Sequence, residues 1–168
     1  MPDEAPVIVA DTGPLHYLVL IGHIDVLPRL FGRVAVPAAV IGELRHANAP
    51  AAVRAWVSEL PPWVSIHSDP AATAAVQSRL GAGERAALAL ADTLSAALLL
   101  MDDRAGTTMA RNRGFEAVGT VGLLMRAAGA RLLDLKAAFA ALRATNFRHS
   151  PALLDALLAE HRAREGTS

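Results

Sequence analysis

The chain has 168 residues, 16 basic and 16 acidic side chains, 53% hydrophobic and 19% charged residues, and no cysteine. That length suits one domain whose core buries roughly two-thirds of the unfolded surface, and the composition excludes a disordered chain. Zero net charge argues against coating of nucleic acid by bulk charge, and the absence of thiols excludes disulfides, zinc–thiolate sites and cysteine nucleophiles.

Residues 1–6, MPDEAP, are acidic and proline-containing, unlike a basic-then-apolar leader. No apolar run approaches the roughly 18 residues of a membrane span, so a soluble cytoplasmic protein with no membrane partner is expected. Val7–Ala10 (VIVA) reads as a short buried strand. Residues 12–22 and 24–32 read as helical pieces broken at Gly22 and Pro28. Arg33–Pro37 is a second strand, followed by a helix over 37–47 with Pro37 in its first turn. A helix over 49–60 stops at Pro61 and Pro62, and Trp63–Ser68 is a third strand. A helix over 70–80 ends at Gly81, and Gly83–Leu94 is a strongly apolar helix.

Residues 96–101 form a fourth strand, 106–114 a short helix closed by Gly114, and Phe115–Gly119 a fifth strand. Helices follow over 120–129 and 132–144, and a C-terminal helix starts with Ser150 as N-cap and Pro151 in its first position. Its Leu153, Leu154, Leu157 and Leu158 make an apolar face, which packs on the chain's own core or serves a partner surface, with a homodimer expected. Short apolar strands alternating with helices predict a parallel sheet covered on both faces.

Ligands in such sheets bind beyond the carboxyl ends of the strands. Asp11 follows the first strand, Glu43 lies in the helix after the second, Glu84 opens the helix at GAGE, and Asp102 and Asp103 end the fourth strand. Singly, each has an ordinary role: a helix cap, a first-turn acid facing the helix dipole, a solvated helix residue. Together, at one predicted sheet edge, they form an all-oxygen cluster of the kind that suits Mg²⁺ or Mn²⁺ rather than zinc or copper. Such an ion sits between carboxylates and a phosphate, and two ions roughly 4 Å apart clamp both oxygens of an in-line displacement. The six histidines show no metal-ligand spacing and read as surface or core residues.

VIVADTGPLHYLVLIG, VAVPAAVIGEL, GAGERAALALA, LLLMDDRAGTTMARNRGF and VGTVGLLMRA occur in that order. Their combination resembles the PIN-domain family, in a branch related to the VapC-type toxins, over roughly residues 7–130. The resemblance implies a three-layer α/β/α sandwich with a central parallel sheet of about five strands. It implies a single domain over 1–168, with its core at about 7–130 and a C-terminal helical extension at 131–165.

It implies a Mg²⁺- or Mn²⁺-dependent endoribonuclease acting on RNA, the toxin of a type II toxin–antitoxin pair with an antitoxin protein as partner. The alternative is a catalytically inactive PIN-like module that binds RNA or protein. Carried over by position, Asp11, Glu43, Glu84 and one of Asp102 and Asp103, with Asp103 the closer match, are the metal ligands, and all five acids are catalytic candidates. Thr12 matches a hydroxyl residue beside the first aspartate. Arg104, Arg111 and Arg113 follow the aspartate pair, and Thr12, Arg104 and Arg111 are the substrate-binding candidates. Glu84 stands where an aspartate is common, and DTG stands where DTS or DSS is frequent. A phosphoryl-transfer domain of receiver or dehalogenase type is disfavoured, because DTG lacks D-x-D and the acidic pair follows the fourth strand.

Overall fold

The computed structural model describes residues 4–76 and 79–167. Five short strands, β1 (Ile8–Ala10), β2 (Val34–Pro37), β3 (Val64–His67), β4 (Leu98–Leu100) and β5 (Ala117–Val118), form one sheet in the order β3-β2-β1-β4-β5. All four pairings are parallel. The helices among the described residues are α1 (Thr12–Leu20), α2 (Val26–Phe31), α3 (Ala38–Leu44), α4 (Ala51–Ser58), α5 (Ala82–Leu94), α6 (Arg104–Asn112), α7 (Thr120–Gly129), α8 (Leu135–Arg143) and α9 (Pro151–Glu165). This is the expected three-layer α/β/α architecture. None of these helices is long and apolar enough to cross a membrane.

Two compact units divide the chain, Met1–Thr120 and Val121–Ser168. The first holds the whole sheet. Val9 pairs with Ala35 on one side and Leu99 on the other, and Leu99 pairs with Ala117. This cross-strand row packs against Ala87, Leu88 and Ala91 of α5 and Ala110 of α6 in one apolar cluster. The intervening residues Ile8, Ala10, Val34, Val36, Leu98 and Leu100 project the other way and are also buried. Burial on both faces is why the strands read as continuous apolar runs rather than alternating ones. In the second unit α8 packs on α9, where the Arg143 guanidinium lies 2.6 Å from Asp155. Ser150 caps α9 by accepting from the Leu153 N–H, Leu154 is buried, and Leu153 is half exposed.

Three local expectations change. Pro28 does not break the second helical piece; it is the third residue of α2, where a backbone N–H would lack a helical partner anyway. Pro37 ends β2 and precedes α3 instead of lying in its first turn. The helix expected over 70–80 is a 3-10 turn at Ala71–Ala75, with residues 77 and 78 outside the described residues.

The strand order creates the site. The chain builds outward from β1 to β3, then crosses back to lay β4 on the other side of β1. The connections leaving β1 and β4 therefore part company, opening a crevice at their carboxyl ends. Because α5 leads into β4, it runs against the strands and its N-terminus lies at that same edge.

Candidate functional site

Asp11 is the first residue past β1 and its N–H donates to the Leu100 carbonyl of β4 at 2.9 Å, which seats it on the crevice. It occupies the N-cap position of α1 but its side chain makes no capping hydrogen bond. The carboxylate is almost wholly buried, 3% exposed, and its Oδ1 has no hydrogen-bond partner in the protein. Burial pushes its pKa well above the usual carboxylate range; the Glu84 charge adds to this, the Thr12 backbone N–H opposes it, and the Glu43 and Asp102 charges add further. Three other carboxylates thus act on Asp11 across the crevice.

Glu43 sits near the end of α3, and helical side chains tilt back toward the N-terminus, here toward the sheet edge. The Thr12 hydroxyl donates to its Oε2 and the Gly83 N–H to its Oε1, the latter at 2.9 Å. Gly83 is needed for this approach: a Cβ there would lie 2.6 Å from Oε2 and 2.8 Å from Oε1. Glu84 is next along the first turn of α5 and folds over Gly81, where a Cβ would collide with its carboxylate. Its pKa is raised, first by partial burial, against backbone N–H bonds from Glu84 and Gly81 and with the Glu43 and Asp103 charges.

The two adjacent aspartates have different work. Asp102 is half-buried, and its Oδ1 and Oδ2 accept from the backbone N–H and the hydroxyl of Thr120, each at 2.7 Å. Its pKa is raised by burial, with the Thr120 bonds pulling the other way. Asp103 is exposed and caps α6, its Oδ2 accepting from the Gly106 N–H at 2.7 Å. Asp103→Ala is expected to lose about 1 kcal/mol of stability with the cap. Asp103→Asn, which can still cap, is expected to match wild type in thermal melts; a melting temperature as low as that of Asp103→Ala would contradict the capping role.

The Glu84, Glu43 and Asp102 charges thus all act on Asp11, and the Asp103 charge acts on Glu84. Among the described residues no three Asp, Glu or His side chains already converge as a ligand cage. Two observations nevertheless fit a hard divalent cation. Asp11 Oδ1 is a buried acceptor without a partner, and the side chains of Glu43, Glu84, Asp102 and Thr12 offer a cation only oxygen atoms. Mg²⁺ keeps much of its water shell and needs only one or two direct carboxylates, so a closed cage is not required.

Of the substrate-binding candidates, Thr12 is committed to Glu43, Arg104 opens α6 with its side chain exposed, and Arg111 reaches the Ala117 carbonyl at 3.5 Å. Arg113 is paired with Asp92 at 2.6 Å. Sequence reasoning missed Thr120 and the separate role of Gly83. The signal for Thr120 was the GT pair directly after a strand, which reads equally well as an ordinary helix start.

The frequent hydroxyl residue after the Asp11–Thr12 pair is replaced by Gly13, and the structure supplies a steric reason: a Cβ there would lie 2.9 Å from Asp102 Oδ2.

No curated protein matches the chain. Residues 7–163 match a family model described as DUF3368: PIN domain.

Proposed function

The chain belongs to the PIN-domain family, a nuclease-type fold, and on that premise we propose that it is a Mg²⁺- or Mn²⁺-dependent endoribonuclease. The observation that carries this is Asp11 Oδ1, a buried carboxylate oxygen without a hydrogen-bond partner in the protein, on a residue whose charge is opposed by those of Glu84, Glu43 and Asp102. Such a cluster is costly in the absence of a cation and useful in its presence.

A bound Mg²⁺ or Mn²⁺ would supply Lewis acidity that makes hydroxide available near neutral pH, and positive charge to meet a phosphodiester. Asp11 and Asp102, across the β1–β4 crevice, are the direct ligands in this reading. Glu43, held by Thr12 and Gly83, and Glu84 would help to hold the ion. The crevice acids also repel a phosphodiester that arrives without the ion. Arg104, exposed at the start of α6, is the residue that would contact a substrate phosphate in this reading. Water adds to phosphorus as the bond to the 3′ oxygen breaks, leaving a 5′-phosphate and a 3′-hydroxyl. Aromatic residues are only 4% of the chain, so base stacking contributes little and RNA shape or accessibility governs selection. The order of motifs that resembles VapC-type toxins supports a toxin role, with an antitoxin protein as partner.

Single-stranded RNA incubated with Mn²⁺, Mg²⁺ or chelator tests the proposal. Cleavage is expected with either ion and at least 100-fold less in chelator. At an ion concentration of 100 Kd the protein is expected to gain about 2.7 kcal/mol of stability, roughly 5–11 °C in Tm. Undiminished cleavage in chelator refutes metal dependence. A second reading, a module that binds RNA or protein without cutting, is favoured by the absence of three converged ligands among the described residues. RNA retained in chelator and uncut with either ion would establish that second reading.

A further inference from the structure

We propose that Thr120 is the positioning residue for Asp102, gripping both carboxylate oxygens so that their remaining lone pairs face the cation; this rests on the metal-nuclease reading. Thr120 is fully buried, and with Asp11 it is one of two polar or charged residues buried to that degree among the described residues. Its backbone N–H meets Oδ1 and its hydroxyl meets Oδ2, both at 2.7 Å. Two donors on two oxygens fix the carboxylate's swing and its twist together, which a single hydrogen bond cannot do. Each oxygen keeps acceptor capacity after accepting one bond.

The surroundings leave the carboxylate no other place. A Cβ on Gly119 would lie 2.6 Å from Oδ1, and a Cβ on Gly13 would lie 2.9 Å from Oδ2. The two glycines allow the backbone on either side to close on Asp102, and Thr120 supplies the donors. An ordinary helix-capping threonine uses its side-chain oxygen to accept from the first-turn N–H groups. Here the hydroxyl is spent on a carboxylate 18 residues earlier in the chain.

Mn²⁺ affinity measured by titration calorimetry on the wild type, Thr120→Val and Thr120→Ser tests this. Valine keeps the shape and the backbone N–H but removes the hydroxyl. Its Kd is expected to rise roughly 10–100-fold, the usual effect of losing a partner that orients a ligand. Serine restores the donor and is expected to stay within about 3-fold of wild type. Wild-type affinity in Thr120→Val, or a loss in Thr120→Ser equal to that in Thr120→Val, overturns the proposal. If Thr120→Val does not fold, Thr120→Ala, which also removes the hydroxyl and keeps the backbone N–H, is expected to weaken Mn²⁺ at least 10-fold; unchanged affinity overturns the proposal. A wild-type protein that binds no Mn²⁺ overturns the proposal and the reading it rests on, whereas wild-type affinity retained without the Thr120 hydroxyl overturns the proposal alone.

Discussion

Asp11→Asn is expected to reduce RNA cleavage at least 100-fold while making the metal-free protein more stable. The loss follows from position. Orienting partners of metal ligands are worth roughly 10–100-fold, and Asp11 is assigned as a ligand itself. The gain follows from burial. An ionised Asp11 sits out of water beside three acids with its Oδ1 unpaired, and asparagine removes that charge at nearly constant volume.

The pH dependence has a definite sign. Asp11, Glu84 and Asp102 all have folded-state pKa values above the ordinary range. Native protein therefore holds protons that the unfolded chain has released. Their stabilising contribution is complete below the unfolded carboxylate pKa and is lost as pH rises through the raised folded values. Metal-free wild type should lose stability from about pH 4 upward through the region where these groups ionise, and Asp11→Asn should lose less. Near pH 7 in chelator the variant is expected to melt at a higher temperature than wild type. Thermal melts across that pH range in chelator measure it. A variant that cleaves like wild type rejects the role of Asp11, and one that melts below wild type throughout rejects the electrostatic account.

Gly83→Ala sets two local effects against each other. Gly83 is the second residue of α5, in an ordinary helical conformation, where alanine is intrinsically better by up to about 1 kcal/mol. The new methyl would lie 2.6–2.9 Å from the Glu43 carboxylate, so Glu43 must leave both Thr12 and the Gly83 N–H. The variant is expected to fold with near-wild-type stability, to bind Mn²⁺ roughly 10–100-fold more weakly and to cut RNA correspondingly more slowly. Wild-type affinity in the folded variant would show that Glu43 takes no part.

Much of the fold was legible because buried parallel strands leave an unambiguous trace. VIVA, RVAVP, WVSIHS and AALLLM each contain an observed strand, and GAGE marks the start of α5. The order of strands was not legible, since alternation of strands and helices specifies parallel pairing without saying on which side of β1 the fourth strand lands. The roles of Asp102 and Asp103 were unreadable for a similar reason. Successive side chains at a strand end point in opposite directions, so a one-residue difference in where β4 stops decides which carboxylate enters the crevice and which caps α6. The resemblance carried both aspartates and leaned to Asp103; the hydrogen bonds show Asp103 on the Gly106 N–H and Asp102 on Thr120. Pro28 misled because a proline in the first helical turn removes a donor that had no acceptor to lose.

The alanines of α5 have a reach beyond their own packing. Ala86, Ala87, Ala89 and Ala91 are buried, and so small a set of side chains brings the helix axis close to the sheet. Thirteen residues of helix span about 20 Å, so the helix acts as a rigid lever with Gly83 and Glu84 at its working tip. One added methylene near the far end would tilt that tip. In the proposed reading, the geometry of the acids at one end of α5 thus depends on plain methyl groups a helix length away.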